Sequence, residues 1–341
     1  MQVVASRDRP ALAETYEIAG RLLLVDTPSA TISAATDRVL SMLRLSRKGA
    51  DTTILPDAVL TLSSTGFDMP SKIEISAVTE EAVYYQTEDS YFVRLGDSVI
   101  SADLSTTVKA SLAKDLDCQS LLFGRVLSHG LATALRRAGA FELHCAAVVE
   151  PKTKTTVLIV GPSGSGKSTL ALHLAACGWS FSTDDVVLLT AATERVEAHG
   201  LREFFAITTD TILQSGLSEL SPLMDGQAAA SELKVRLHPQ DVFSSEMIEK
   251  CIPDVLVFPQ HTGQAHSRVQ SLKQSDTMKR LLRMCPGAAV DRPVAAQFLR
   301  VLELLTRQCQ AFDLLAGTDL LGDPKYTAAF LASVVVQEQA T

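Results

Sequence analysis

Short apolar runs separated by polar residues dominate the first third of the chain, from Tyr16 to about Leu104. Segments such as RLLLVD, KIEISAV and AVYYQT have the length and composition of β-strands. The run YFVRLGDSVISADL holds a Gly-Asp pair, Gly96 and Asp97, where a hairpin can turn. Residues 1–105 are therefore predicted to form a small, sheet-rich α+β domain.

The spacing of apolar residues then changes from that of a strand to that of a helix. A stripe over 106–138 predicts a helical connector, 106–140, that stops at Gly139. The stripe consists of Leu121, Leu122, Val126, Leu127, Leu131 and Leu135. After it, FELHCAAVV and TTVLIVG read as two strands joined by the polar turn EPKTKT, so a hairpin opens the second domain, 141–335.

A glycine-rich loop follows the second of these strands. Residues 161–168, GPSGSGKS, fit the phosphate-loop pattern G-x-x-x-x-G-K-[ST], and a helix over 167–177 ends at Gly178. Amide hydrogens of such a loop and the positive end of the helix dipole favour a polyphosphate. Lys167 would reach the β- and γ-phosphates of ATP, and the Ser168 hydroxyl would bind Mg²⁺. The residues predicted to bind the nucleotide are Gly161, Pro162, Ser163, Gly164, Ser165, Gly166, Lys167, Ser168 and Thr169.

Two adjacent acids, Asp184 and Asp185, come directly before the apolar run VVLL. This position, one strand after the loop's own helix, can bring both near the bound phosphates. One carboxylate would stay ionised beside Mg²⁺ and the other would accept a proton from a hydroxyl or water. Because adjacent carboxylates repel, one of the two is expected to have a raised pKa. The structural alternative is a turn or capping pair before a strand.

Composition excludes several classes of partner. With 46% hydrophobic and 21% charged residues, 341 residues can bury a full core, and a net charge of −8 provides no basic field for nucleic acid or an anionic membrane. The N-terminus lacks the zones of a signal peptide, and no run reaches the ~20 apolar residues of a membrane helix, so a cytoplasmic protein is expected. The cysteines have no C-x-x-C spacing and are interpreted as reduced and structural. They are Cys118, Cys145, Cys177, Cys251, Cys285 and Cys309.

The segments LHCAAVV, VLIVGPSGSGKSTLALHLAACGW and STDDVVLL together resemble the catalytic core of HPr kinase/phosphorylase and related serine kinases. The resemblance implies an α/β P-loop kinase domain of the HPr kinase or phosphoenolpyruvate carboxykinase type. It also implies that Asp185 is the base for an acceptor hydroxyl, that Asp184 lies near the metal and that His144 lies near the phosphates. Because kinases of this family assemble as hexamers, a homo-oligomer is a further expectation.

The sequence departs from the family pattern in two places. Thr169 stands where HPr kinases have an acid after the loop serine, which puts the phosphorylase activity in doubt. In RVEAHGLREF, Glu197 is a candidate second metal ligand, and His199 stands where the family has arginine. A solvated strand edge is the other interpretation of Glu197.

Further residues are interpreted mainly as structural. His173 is expected to face neighbouring side chains, and Trp179 to pack the loop's helix against the sheet. Lys234 and Arg236 alternate along a strand, where they either are solvated or neutralise a phosphate or an acidic substrate. Arg136 and Arg137 fall in the last turn of the connector helix, where cations favour the helix dipole.

The sequence thus predicts a Mg·ATP-dependent kinase that phosphorylates a Ser or Thr hydroxyl of a peptide or protein. Members of the resembled family act on HPr or on precursors of ribosomally made peptides, and the absence of HPr-type features favours the second group. A small-molecule hydroxyl kinase and a non-catalytic nucleotide-binding regulator are the alternatives.

Overall fold

A computed structural model describes residues 12–48, 54–220, 234–285, 287 and 290–336. The chain has a mixed α/β fold that divides into two compact units, residues 1–141 with 287–297 and residues 142–286 with 298–341. The sequence placed all of 141–335 in one domain, whereas 287–297 belong with the first unit.

A mixed sheet forms the first unit, in the strand order β3-β1-β2-β4-β9-β8-β7-β6-β5. Its strands are β1 (Ala13–Ile18), β2 (Arg21–Asp26), β3 (Ser46–Lys48), β4 (Ala58–Ser63), β5 (Glu74–Val78), β6 (Val83–Gln86), β7 (Tyr91–Leu95), β8 (Ser98–Ala102) and β9 (Thr107–Ser111). Helices α1 (Ala30–Leu40) and α2 (Leu121–Arg137) complete it. The pairs β2/β4 and β4/β9 are parallel. The hairpin predicted at Gly96 is confirmed as β7 and β8, and Gly96 has the left-handed φ of 57°.

The predicted connector helix is shorter than its apolar pattern suggested. Strand β9 occupies 107–111 with Val108 and Ala110 buried, so this part of the pattern belongs to the sheet. Helix α2 begins after Ser120, whose hydroxyl caps it by accepting the Phe123 amide hydrogen, and the chain turns away at Gly139 with φ of 78°.

A second mixed sheet forms the centre of the second unit, in the order β17-β14-β13-β10-β11-β18-β20-β19, with β12 also paired to β10. Its strands are β10 (Ala140–Val149), β11 (Thr156–Val160), β12 (Ser180–Thr183), β13 (Val186–Ala192), β14 (Arg195–Gly200), β17 (Lys250–Cys251), β18 (Val255–His261), β19 (Arg268–Ser271) and β20 (Gln310–Ala316). Strands β15 (Phe205–Thr208) and β16 (Lys234–Leu237) form a separate hairpin. The helices are α3 (Lys167–Ala176), α4 (Thr209–Gln214), α5 (Pro239–Val242), α6 (Gln274–Met284), α7 (Arg292–Gln308) and α8 (Pro324–Val336), with a 3₁₀ turn at Thr318–Leu320. Residues 292–297 of α7 belong to the first unit and the rest of this helix to the second.

The predicted hairpin before the loop is confirmed, since β10 and β11 pair antiparallel. Strand β18 pairs with β11 in parallel on its other side, and β20 pairs in parallel with β18. Helix α3 lies against this sheet, and Trp179 is buried in the same apolar core, as predicted. His173 is structural, because its ring nitrogens contact the Ser215 carbonyl oxygen at 2.9 Å and the Thr327 hydroxyl at 3.3 Å.

All six cysteines are free thiols. Across the described residues, none of the helices combines the length and the apolar character that crossing a bilayer requires.

A buried ion cluster joins residues 287–297 to the rest of the first unit. The Asp291 carboxylate is fully buried and accepts two hydrogen bonds from Arg137, at 2.8 and 3.0 Å, and Arg136 lies 3.6 Å from it. The arginines predicted to serve the helix dipole therefore have a tertiary partner.

Replacing Asp291 is expected to destabilise the first unit strongly. Asp291→Ala leaves two buried guanidinium groups without their counter-charge, which costs about 3–5 kcal/mol of unfolding free energy. Scanning calorimetry would show the first unit melting earlier, whereas Arg292→Ala, which removes only an exposed contact at 3.9 Å to Glu74, should change stability by less than about 0.5 kcal/mol. Equal melting of both variants would contradict this role of Asp291.

Candidate functional site

The glycine-rich loop connects β11 to the first residue of α3. Gly164 and Gly166 adopt left-handed φ angles of 79° and 91°, a conformation that glycine reaches at little cost. A Cβ atom on Gly166 would also lie 3.2 Å from two ring atoms of His261, at the end of the neighbouring strand β18. The sequence therefore needs glycine at 166 for two independent reasons.

A cavity of about 370 Å³ opens at the start of α3. It brings together most of the predicted site residues, from three separate stretches of the chain. Those lining it are His144, Ser163, Gly164, Ser165, Gly166, Lys167, Ser168, Thr169, Asp184 and Asp185. Gly161 and Pro162 line a neighbouring cavity instead.

Lys167 is buried, with 5% of its surface exposed, and its ammonium group folds back over the loop. Its Nζ donates a hydrogen bond to the Pro162 carbonyl oxygen at 2.9 Å. Burial lowers the pKa of Lys167, and the nearby charges of Asp185 and Asp184 act in the opposite direction. An anion in the cavity would therefore stabilise the charged form of this lysine.

The two aspartates lie between β12 and β13, as the sequence predicts. The Asp185 carbonyl oxygen accepts a hydrogen bond from the Cys145 amide at 3.0 Å, which ties this corner to β10. The Asp184 side chain is 3% exposed, and its Oδ2 accepts a hydrogen bond from the Ala206 amide at 3.2 Å. Its Oδ1 is buried and accepts no hydrogen bond from the described residues.

Asp185 is held between two cationic or potentially cationic side chains. Its Oδ1 lies 3.2 Å from Nδ1 of His144, and its Oδ2 lies 2.5 Å from the guanidinium of Arg202. Burial alone would raise the pKa of Asp185, but the hydrogen bond from His144 and the charge of Arg202 outweigh it and lower the pKa. This carboxyl group is therefore ionised at neutral pH.

Asp184 has the opposite electrostatic character. Burial, and next the charge of Asp185, raise the pKa of the Asp184 carboxyl to about 6, although the Ala206 amide acts against the shift. Of the two aspartates, Asp184 is therefore the one whose pKa is raised.

Glu197, the third predicted metal ligand, is not brought to this cavity. It lies on β14, where its carboxylate pairs with Lys250 at 3.0 Å and lies 3.8 Å from His199. His199 Nε2 is 3.2 Å from the Thr190 hydroxyl, and neither residue lines the cavity. In the part of the chain that the structure describes, no three His, Cys, Asp or Glu side chains group as metal ligands.

Three cavity residues were missed or undervalued by sequence reasoning. Arg202 follows the Gly-Leu pair of HGLRE. The sequence comparison considered only His199, three positions earlier, as the residue in place of an arginine. Lys234, on β16, lines the cavity. Arg236, two residues later on the same strand, instead lies 5.2 Å above the Phe204 ring. His261 has no local signal, because only the pairing of β18 with β11 brings it to the loop.

The cavity is also lined by apolar and uncharged polar residues. They include Ile207, Thr208, Thr211, Gln214, Ala316, Gly317, Leu320 and Leu321. One cavity thus combines cations, two carboxylates and apolar surface, a lining suited to a ligand with an anionic and an apolar part.

No family model matches the sequence, and no curated protein matches it. Among solved structures, the Hpr(Ser) kinase/phosphatase from Coxiella burnetii is similar at 11% sequence identity and a TM-score of 0.30. The similarity covers 58% of this chain and 96% of that chain. It is weak, and it assigns neither an activity nor a substrate to this chain.

The raised pKa of Asp184 predicts a stability cost in the ligand-free protein. The folded state keeps this proton up to about pH 6, whereas an ordinary aspartate releases it near 3.8, so stability falls as pH rises through that window. Asp184→Asn removes the titration and should stabilise the second unit above pH 7 by on the order of 2 to 3 kcal/mol. Below about pH 4 the gain should vanish, since both side chains are then neutral.

Urea unfolding followed by fluorescence of Trp179, the single tryptophan, reports on the second unit. The titrations contain EDTA and compare pH 4 with pH 8, and Asp68→Asn, at an exposed site, is the control. If Asp184→Asn is no more stable than wild type at pH 8, the unfavourable burial of the Asp184 carboxylate is contradicted.

Proposed function

We propose that this protein is a Mg·ATP-dependent kinase that transfers the γ-phosphate to a Ser or Thr hydroxyl of a peptide or protein. The observation that carries the proposal is a single cavity in which the glycine-rich loop and Lys167 face two carboxylates of different acidity. Phosphoryl transfer needs mainly positioning and charge stabilisation, and these groups supply both.

The loop fits a polyphosphate. The loop residues 163–168 line the cavity of about 370 Å³, so the loop faces space that can hold phosphate oxygens. The start of α3 adds the positive end of its dipole, and Lys167 can exchange the Pro162 carbonyl for a phosphate oxygen. We assign the nucleoside to the surface of Leu320, Leu321 and Gln214, which line the same cavity.

The residues also fit a magnesium ion bound together with the nucleotide. Mg²⁺ prefers oxygen ligands and keeps several waters, so one hydroxyl and one carboxylate are sufficient protein ligands. Ser168 lines the cavity. The buried Oδ1 of Asp184 accepts no hydrogen bond from the described residues, so it could bind a cation. The ion would supply neutralisation of the phosphate charge.

Asp185 is the group we assign as base. Its carboxylate is ionised and its orientation is fixed by His144 and Arg202. In the transfer, the acceptor oxygen forms a bond to the γ-phosphorus as the bond to the β,γ-bridging oxygen breaks, and the hydroxyl proton moves to Asp185. The products are a phosphomonoester and ADP. Arg202 and Lys234 add positive charge beside the transferred group.

A peptide acceptor, such as the precursor of a ribosomally made peptide, is part of the proposal. A cytoplasmic location, self-association, and the lack of nucleic-acid or membrane partners remain predictions from sequence.

Removing the proposed base should abolish transfer without abolishing nucleotide binding. In Asp185→Asn, loss of proton acceptance should lower the rate of phosphoryl transfer by about 10²- to 10⁴-fold. The assay incubates purified protein with γ-labelled ATP, Mg²⁺, Ser- and Thr-containing peptides and an extract of the source organism. Glu303→Gln, an exposed carboxylate-to-amide change on α7, is the matched control.

Label on a seryl or threonyl group that disappears in Asp185→Asn and persists in Glu303→Gln would support the kinase. Label transferred only to a small molecule would replace the peptide acceptor with a free alcohol. Equal ATP binding by both proteins without transfer to any acceptor would contradict a kinase and leave a nucleotide-binding regulator.

A further inference from the structure

A second cavity, of about 790 Å³, adjoins the one that holds the aspartates. The two share Ser165 and His261 in their linings. Its walls are the start of the glycine-rich loop at Gly161 and Pro162, the end of β18, and helix α6. A ligand lying in it would therefore be next to the loop that we assign to the phosphates.

The inner surface of this second cavity is apolar. Val160, Phe258 and Pro259 are buried beneath it, and Leu272 and Met284 are half-buried at its sides. An occupant with apolar groups would gain by covering this surface.

Helix α6 adds three cations to the same cavity, Lys279, Arg280 and Arg283. Arg280 is fixed, because its guanidinium donates to Asp313 at 2.6 Å and lies 5.7 Å above the Phe258 ring. Lys279 pairs at 3.0 Å with Asp276, one turn earlier on the helix, and Asp276 also lines the cavity. These two cations are at least partly neutralised within the protein.

Arg283 is different, since no acidic side chain among the described residues pairs with it. It is exposed at the cavity, one helical turn from Lys279. In a chain of net charge −8, an uncompensated guanidinium beside apolar surface is complementary to a ligand that has both a carboxylate and apolar groups.

We propose that this second cavity binds an acidic, partly apolar peptide segment of the phosphate acceptor, with a carboxylate on Arg283. The inference rests on the proposed function. A peptide is favoured over a compact metabolite because the segment must reach from α6 past His261 to Asp185, and an extended chain advances about 3.3 Å per residue.

The test measures peptide binding directly, independently of catalysis. The probes are a fluorescein-labelled serine peptide rich in glutamate and leucine, and the same peptide with glutamine in place of glutamate. Fluorescence anisotropy is recorded with wild-type protein, with Arg283→Ala, and with Arg300→Ala as a matched arginine control on α7. We expect tighter binding of the glutamate peptide by wild type, a loss of about five- to tenfold in Arg283→Ala and no change in Arg300→Ala.

A charge-reversal variant gives a second test. Arg283→Glu should bind the glutamate peptide still more weakly and should bind a peptide with lysine in place of glutamate more tightly than wild type does. Equal binding of the glutamate and glutamine peptides, equal loss in both arginine variants, or no binding of the glutamate peptide would each overturn the subsite. Binding of Mg·ATP is measured on the same samples. Its absence would count against the proposed function, while the anisotropy result still decides the subsite.

Discussion

The close approach of two carboxylates to the glycine-rich loop is the constraint on which the site depends. Asp184 and Asp185 line the same cavity, the charge of Asp185 raises the pKa of Asp184, and Asp184 is buried as well. His144 and Arg202 compensate Asp185, whereas burial and the charge of Asp185 raise the pKa of Asp184 to about 6. The buried Asp184 carboxylate therefore sits in an unfavourable charge arrangement that a bound cation would relieve.

Strand pairing explains how distant residues reach this corner. The antiparallel register of β10 and β11 pairs Cys145 with Val160, which leaves His144 one residue beyond, at the mouth of the loop. The parallel pairing of β11 with β18 brings His261 to the other side of the loop. Since the loop begins where β11 ends, each neighbouring strand contributes one histidine to it. The two cavities share Ser165 and His261, so the proposed phosphate and acceptor sites would be neighbours.

Sequence patterns predicted the elements whose conformation depends mainly on residues close together in the chain. The loop with its flanking strand and helix, the hairpin before it and the turn at Gly96 follow from glycine placement and apolar spacing. The predicted connector helix is wrong over Thr107–Ser111, because this segment pairs with β4 and β8, and a local pattern does not reveal such strand neighbours. The return of 287–297 to the first unit depends on Asp291 meeting Arg137, far apart in sequence. Arg202 and Lys234 reach the cavity through tertiary folding, and Glu197 faces Lys250 instead.

The most direct measurement is calorimetric titration of the wild-type protein with a non-hydrolysable ATP analogue, with and without Mg²⁺, beside Lys167→Ala and Asp184→Asn. If the loop and the aspartates form one Mg·nucleotide site, wild type binds the analogue more tightly with Mg²⁺. Lys167→Ala then loses affinity in both conditions, and Asp184→Asn loses only the magnesium-dependent part. Failure of the wild type to bind, or binding unaffected by Lys167→Ala, would contradict the account.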